Sequence, residues 1–247
     1  MDITRIPGLM RRCHGWEVAP ALMEEWFRRF ASDRSPNTTI VRMDWALRFD
    51  RARAAYQQMI SSHAWRDGDG QRRIMRWLAS QHRLTGHEES FGPASWMPVN
   101  PQELDDDTIG TRPVGSLTGD PVDDMYGALG RFDFRMVVAG TVRPAGSSGL
   151  VAPTAVRSTH PHTLSNYEVR IERIGIFLWD TFDFNTHQVL GYWGERGMTA
   201  LQTGGDLVTN GQFREWRQGT GRGGDFLIYS DVRTIQGSAA DTFTAPG

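Results

Sequence analysis

The chain has 247 residues, of which 39% are hydrophobic and 11% aromatic, enough for a packed core, so disorder along its whole length is excluded. A formal net charge of −2 gives no global attraction to nucleic acid or to an anionic membrane. With Cys13 as the single cysteine, neither an intrachain disulfide nor a cysteine-based zinc site can form, while His-carboxylate metal sites stay open.

The opening "MDITRIPGLMRRCHGW" holds no apolar signal-peptide core, and no segment approaches the roughly 18–20 apolar residues of a membrane span. Synthesis as a soluble bacterial cytoplasmic protein is expected, with any export by a route that needs no cleavable signal. All basic residues are Arg, a composition that favours planar, bidentate contacts to carboxylate or phosphate.

Residues 1–90 read as helical. In "EVAPALMEEWFRRFA" Val18, Leu22, Met23, Trp26, Phe27 and Phe30 recur at helical spacing, opposite Glu24, Glu25, Arg28 and Arg29. "MDWALRFDRARAAYQQMISSHAW" predicts a second helix with Asp44 as N-cap, and "QRRIMRWLASQHRL" a third. Trp16, Trp26, Trp45, Trp65 and Trp77 fall at core spacings. Residues 91–123, rich in Pro, Gly and Asp, read as an irregular connector.

Residues 124–247 read as a β-rich half. Asp123 and Asp124 precede a short helix, where carboxylates favour the positive end. "RFDFRMVVAGTV" alternates as a half-buried strand. "NYEVRIERIGIFLWD" alternates through Tyr167, Val169 and Ile171, then slips phase to Ile174, Ile176 and Leu178, as a β-bulge would make it do. "VLGYWG" and "DFLIYSDVRTIQG" supply one strand each, and "NGQFREWRQG" a short helix capped by Asn210. The expected fold is α+β, an N-terminal helical layer followed by a mostly antiparallel curved sheet or open barrel.

The chemistry centres on "IGIFLWDTFDFNTHQVLGYWG". A buried apolar run ends in Asp180 and Asp183, with His187 beyond. Unpaired buried charge is costly, so this is either an acidic turn or a site. As a site, the pair supplies a general base and a holder of a proton or of a hard divalent cation such as Mg²⁺ or Ca²⁺, with His187 as acid. Asp225 and Asp231 flank a later strand and can join them. The glycine-rich "GTGRGGD" brings Arg222 near, without the Lys-Ser/Thr of a P-loop. His160 and His162 have a chelating spacing in what reads as an exposed loop.

Several blocks, "IPGLMRRCHGWEVAPALMEEWF", "MDWALRFDRARAAY", "DDMYGALGRFDFRMVVAGTV", "DTFDFNTHQVLGYW" and "FREWRQGTGRGGDFLIYSDVR", resemble the bacterial domain-of-unknown-function family 6402 over nearly the whole chain. Members of that family look like products of type VI secretion and polymorphic-toxin loci. "ALGRFDFRMVVAGTV" followed by "IERIGIFLWDTFDFN" is also similar, more weakly, to the activity domain of the colicin M family, which cleaves lipid II between undecaprenol and pyrophosphate. That resemblance implies an antibacterial effector acting on a lipid-linked peptidoglycan precursor, with Asp180 and Asp183 catalytic and Phe184 a packing residue. It also implies partners in the secretion apparatus or an immunity protein. The family's motif tyrosine is Phe182 here and its His-Arg pair is missing, which leaves Arg214, Arg217 and Arg222 to bind phosphate. A non-enzymatic secretion adaptor or cargo-binding protein is the rival reading.

Overall fold

A computed structural model describes residues 1–96, 102–116, 119–146, 166–199 and 205–247. His160 and His162 lie outside them. Eight helices occur among the described residues: α1 (Ile6–Leu9), α2 (Val18–Arg28), α3 (Met43–Ala46), α4 (Asp50–Ser61), α5 (Gly68–Ser80), α6 (Gln102–Asp106), α7 (Asp124–Leu129) and α8 (Asn210–Thr220). The strands are β1 (Glu89–Phe91), β2 (Gly110–Val114), β3 (Phe132–Pro144), β4 (Asn166–Phe182), β5 (Val189–Gly194), β6 (Gly197–Thr199), β7 (Asp206–Thr209), β8 (Phe226–Tyr229), β9 (Arg233–Gln236) and β10 (Thr242–Pro246). They form two open sheets, one in the order β1-β3-β4-β10 with β2 on β3 and with β8 and β9 on β4, the other β6-β5-β7. The α+β class with N-terminal helices is as the sequence patterns predict.

The chain divides into two compact units that interleave along the sequence. One comprises Met1–Tyr56, Pro113–Phe134 and Phe177–Asp231, the other Gln57–Arg112, Arg135–Ile176 and Val232–Gly247. Each draws on the helical, connecting and β-rich stretches of the sequence.

In the first unit, α2 buries Leu22 and Trp26 completely along the stripe that its spacing predicts. Its own N-cap position makes no side-chain cap. Asp124 of α7 takes over, accepting from the backbone N–H groups of Glu17 (3.1 Å), Val18 (3.0 Å) and Ala19 (2.8 Å) and from the Trp45 indole (3.2 Å). Four donors are thereby satisfied at one carboxylate, at the helix end where negative charge is favoured. Asp123 caps α7 itself, accepting from Tyr126 N at 2.8 Å.

In the second unit β1 pairs antiparallel with β3, and β10 and β9 pair in turn with β4. The phase slip falls where β4 exchanges partners: Arg170 is its last residue on β10 and Arg173 its first on β9. From Ile174 to Ile176 every residue is buried, so alternation is lost because both faces are covered. Asp241, 3% exposed, accepts from Trp65 Nε1 at 2.5 Å, Arg66 Nε at 2.6 Å and Ser238 N at 2.7 Å. Burial alone would raise its pKa, but these bonds outweigh it and hold the carboxyl well below its ordinary value of 3.8.

Several local expectations need correction. The predicted second helix is two, because i→i+3 bonds from Arg48 and Phe49 to Trp45 and Ala46 close the chain at the end of α3. Asp44 sits inside α3, and Arg42 occupies the N-cap without a side-chain bond. Thr209 rather than Asn210 caps α8, in a capping box whose Gln212 Oε1 accepts from Thr209 N at 2.9 Å. "DFLIYSDVRTIQG" forms two strands, β8 and β9, with Ser230 between them donating its N–H to Leu178 O at 3.0 Å. The connector contains α6 and β2, and the opening residues contain α1.

Two stability measurements follow from these carboxylates. Asp124→Ala should lower stability by about 2 kcal/mol, since it strips a cap and several charge-assisted bonds. Asp241→Asn should cost about 2 kcal/mol at pH 7. Because the native pKa of Asp241 is depressed, its contribution is present above the ordinary carboxylate range and lost on acidification. Thermal melts should therefore show the wild type and Asp241→Asn converging as pH falls below about 4.

Candidate functional site

β4 ends at Phe182, which stacks on Phe226 of β8 with ring centroids 5.4 Å apart. The chain then turns sharply: Asp183 accepts from Asn185 N at 2.9 Å in an Asx turn. Phe184 lies flat against Phe213 of α8, centroids 3.9 Å apart and planes 8° from parallel, and meets the edge of Trp26 at 4.8 Å. Arg214 holds the same turn from α8, donating to the carbonyls of Phe184 (2.9 Å) and Thr186 (2.7 Å). These contacts fix the backbone on either side of Asp183.

A cleft of about 440 Å³ opens in this first unit. Asp180, Thr181 and Asp183 line it from the end of β4, Arg131 from the α7–β3 turn, and Met10, Trp16, Met23 and Met198 from apolar segments. Asp180 and Asp183 thus share one cavity, as the sequence reading of a site requires. Asp180 keeps some exposed surface yet is deeply set, and loss of hydration is the first cause that pushes its pKa well above 3.8. A Thr181 backbone hydrogen bond opposes the shift, and the charges of Asp183 and Asp133 add to it.

The other predicted residues have different surroundings. His187 is exposed, in the loop before β5, and is not among the residues lining the cleft. Asp225 is engaged by three donors: Trp26 Nε1 at 2.9 Å, Asn185 Nδ2 at 3.0 Å, and Arg217. This ties α2, α8 and the Asp183 turn together. Arg222 donates to Arg28 O at 2.7 Å and lies over the Phe30 ring. Asp231 accepts from Met43 N at 2.8 Å. Thus the three arginines expected to bind phosphate all bond to protein groups, and among the described residues Arg131 is the basic side chain on the cleft.

Arg131 and Asp133 are the residues that sequence reasoning passed over. Both stand in "GRFDFR", where charge alternates with buried Phe132 and Phe134 in the ordinary manner of a half-buried strand. Gly130, with φ 58, turns the chain out of α7 in a conformation that favours glycine, and so sets Arg131 at the cleft.

Among the described residues, no group of three or more His, Cys, Asp or Glu side chains converges as a metal-holding set. Asp180 and Asp183 offer oxygen donors of the kind Mg²⁺ and Ca²⁺ accept, with water or ligand oxygens left to complete a coordination shell. No helix of the described residues is long and apolar enough to cross a membrane.

A family model for DUF6402, described as a family of unknown function, matches residues 1–205 and 202–245. The chain belongs to this family. No curated protein and no solved structure matches it. Within DUF6402, this cleft therefore has to be read from its own chemistry.

Because its native pKa is raised, ionised Asp180 opposes folding once pH exceeds the ordinary carboxylate value. Asp180→Asn should therefore raise the melting temperature at pH 7 to 8, and the gain should vanish below about pH 4, where the wild-type carboxyl is protonated both folded and unfolded. Differential scanning calorimetry across that range checks both limbs.

Proposed function

We propose that this protein is an antibacterial effector, similar in action to colicin M, that hydrolyses a phosphoester of a lipid-linked peptidoglycan precursor. The observation that carries this reading is the pairing of Asp180 and Asp183 in a cleft with apolar walls, with Asp180 held toward its protonated form. A carboxyl group held toward its protonated form can do acid work beside a second carboxyl group that does base work. Asp183 accepts a proton from the attacking water as its oxygen bonds to phosphorus. The phosphorus–oxygen bond to the leaving group breaks, and Asp180 donates its proton to that oxygen. His187, outside the cleft, has no part in this scheme.

Mg²⁺ or Ca²⁺, if held by Asp180 and Asp183, would displace the Asp180 proton and supply neutralisation of phosphoryl charge in place of that acid role. The apolar side chains of Met10, Trp16 and Met23 suit the lipid end of such a substrate. Delivery by a type VI-like apparatus to the periplasm of a target cell, with a cognate immunity protein in the producer, belongs to the same proposal.

A second reading, a secretion adaptor or cargo-binding protein, draws on the apolar rim of the cleft. Val122 and Val189 line it while 48% and 58% exposed, and a bound apolar segment would cover them.

Expression in a Gram-negative host separates the two. Periplasm-directed wild-type chain should lyse the cells while cytoplasmic expression does not, and Asp180→Ala and Asp183→Ala should each abolish lysis. Lysis that persists in both variants would remove the catalytic assignment. Absence of toxicity in either compartment, together with stable co-purification of a secretion protein, would favour the adaptor.

A further inference from the structure

We infer that Arg131 is the residue by which the cleft holds an anionic head group, and that the ligand is an amphiphile whose tail lies along the apolar wall. The inference rests on the reading of the cleft as a substrate site and adds its head-group receptor. Among the described residues lining the cleft, Arg131 is the sole basic one. It is exposed, and among the described residues no hydrogen bond, ion pair or ring contact engages its guanidinium. Arg214, Arg217 and Arg222, by contrast, are bonded to Phe184 and Thr186 carbonyls, to Asp225, and to the Arg28 carbonyl.

A free guanidinium presents up to five N–H donors in a planar fork, which matches two oxygens of a phosphate or carboxylate. The backbone turn at Gly130 fixes where this fork starts, and Phe132, 3% exposed, anchors the other side. Opposite in character, Val122 and Val189, 48% and 58% exposed, give the same cavity an apolar surface, backed by the buried Met10, Met23 and Trp16. A small hydrophilic anion would leave that surface in water, and a neutral hydrocarbon would leave the guanidinium without a partner. An anionic amphiphile satisfies both. Arg131 lines the same cavity as Asp180 and Asp183, so a head group held by its guanidinium is also oriented within that cavity.

Isothermal titration calorimetry with probes of one tail length tests this. The probes are octyl phosphate, octanoate and octan-1-ol, each below its aggregation concentration, with inorganic phosphate as the tail-free control. Octyl phosphate or octanoate should bind at least tenfold more tightly than both octan-1-ol and inorganic phosphate, and whichever of the two is tighter identifies a phosphate or a carboxylate head. Arg131→Gln should remove that advantage and leave octan-1-ol unchanged. Arg222→Gln, which deletes an equal charge outside the cleft, should retain it.

Equal binding of the anionic and neutral probes would overturn the inference, as would an affinity for octyl phosphate within twofold of wild type in Arg131→Gln. Equal losses in both arginine variants would do the same, because they would reduce the effect to net charge. Inorganic phosphate binding as tightly as octyl phosphate would eliminate the amphiphile. The outcome is independent of catalysis: Arg131-dependent binding without periplasmic lysis would refute the hydrolase and leave the head-group receptor in place.

Discussion

The cleft depends on where the chain goes after Phe182, and one aromatic contact decides that. Phe184 is pressed between Phe213 and Trp26, at 3.9 Å and 4.8 Å between ring centroids. Stacked and edge-on geometries of this kind add specific attraction to the gain from burying the rings. Since Asp183 is the neighbouring residue, fixing Phe184 fixes the acidic turn. Asp225 reinforces the same arrangement from the polar side by collecting the Trp26 indole, the Asn185 amide and Arg217. Gly223 completes the fit, because a Cβ there would lie 2.4 Å from the Trp26 ring.

Carboxylates in this protein illustrate how environment assigns different work to one side chain. Asp124, Asp225 and Asp241 each gather several N–H donors, and each joins separate segments of its own unit. Asp180 is set as deeply but has little to compensate it beyond one backbone bond, and acidic neighbours oppose its ionisation. Buried polar groups are normally paired, so a carboxyl held in this way reduces stability at neutral pH.

Patterns that depend on a single element were legible in the sequence. The stripe from Val18 to Trp26 announces α2, the alternation from Phe132 to Val138 announces β3, and the apolar run ending at Asp180 announces β4. What could not be read locally was set by distant residues. The division of 225–237 into two strands depends on the Leu178 backbone, whereas the capping box of Thr209 and Gln212 is a local pattern that the reading of Asn210 as cap passed over. Asp225 resembled a third catalytic carboxylate because it flanks a strand that can bring it to Asp180 and Asp183, whereas Trp26, 199 positions earlier, supplies one of its partners. Arg131 looked like any outward residue of an alternating strand, and only the tertiary position of Gly130 sets it on the cavity.

The cap on α2 has a consequence for how the protein is made. Its three backbone donors are satisfied by a carboxylate 105 to 107 positions further along the chain. During synthesis the α2 segment therefore leaves the ribosome with its first turn open and with only the preceding α1 segment to pack on, and it stays so until α7 emerges. Trp26 waits longer still, for a partner nearly two hundred residues away. The order of emergence thus leaves a hydrophobic helix incompletely covered while about a hundred further residues are made, an interval in which a chaperone would find its natural substrate.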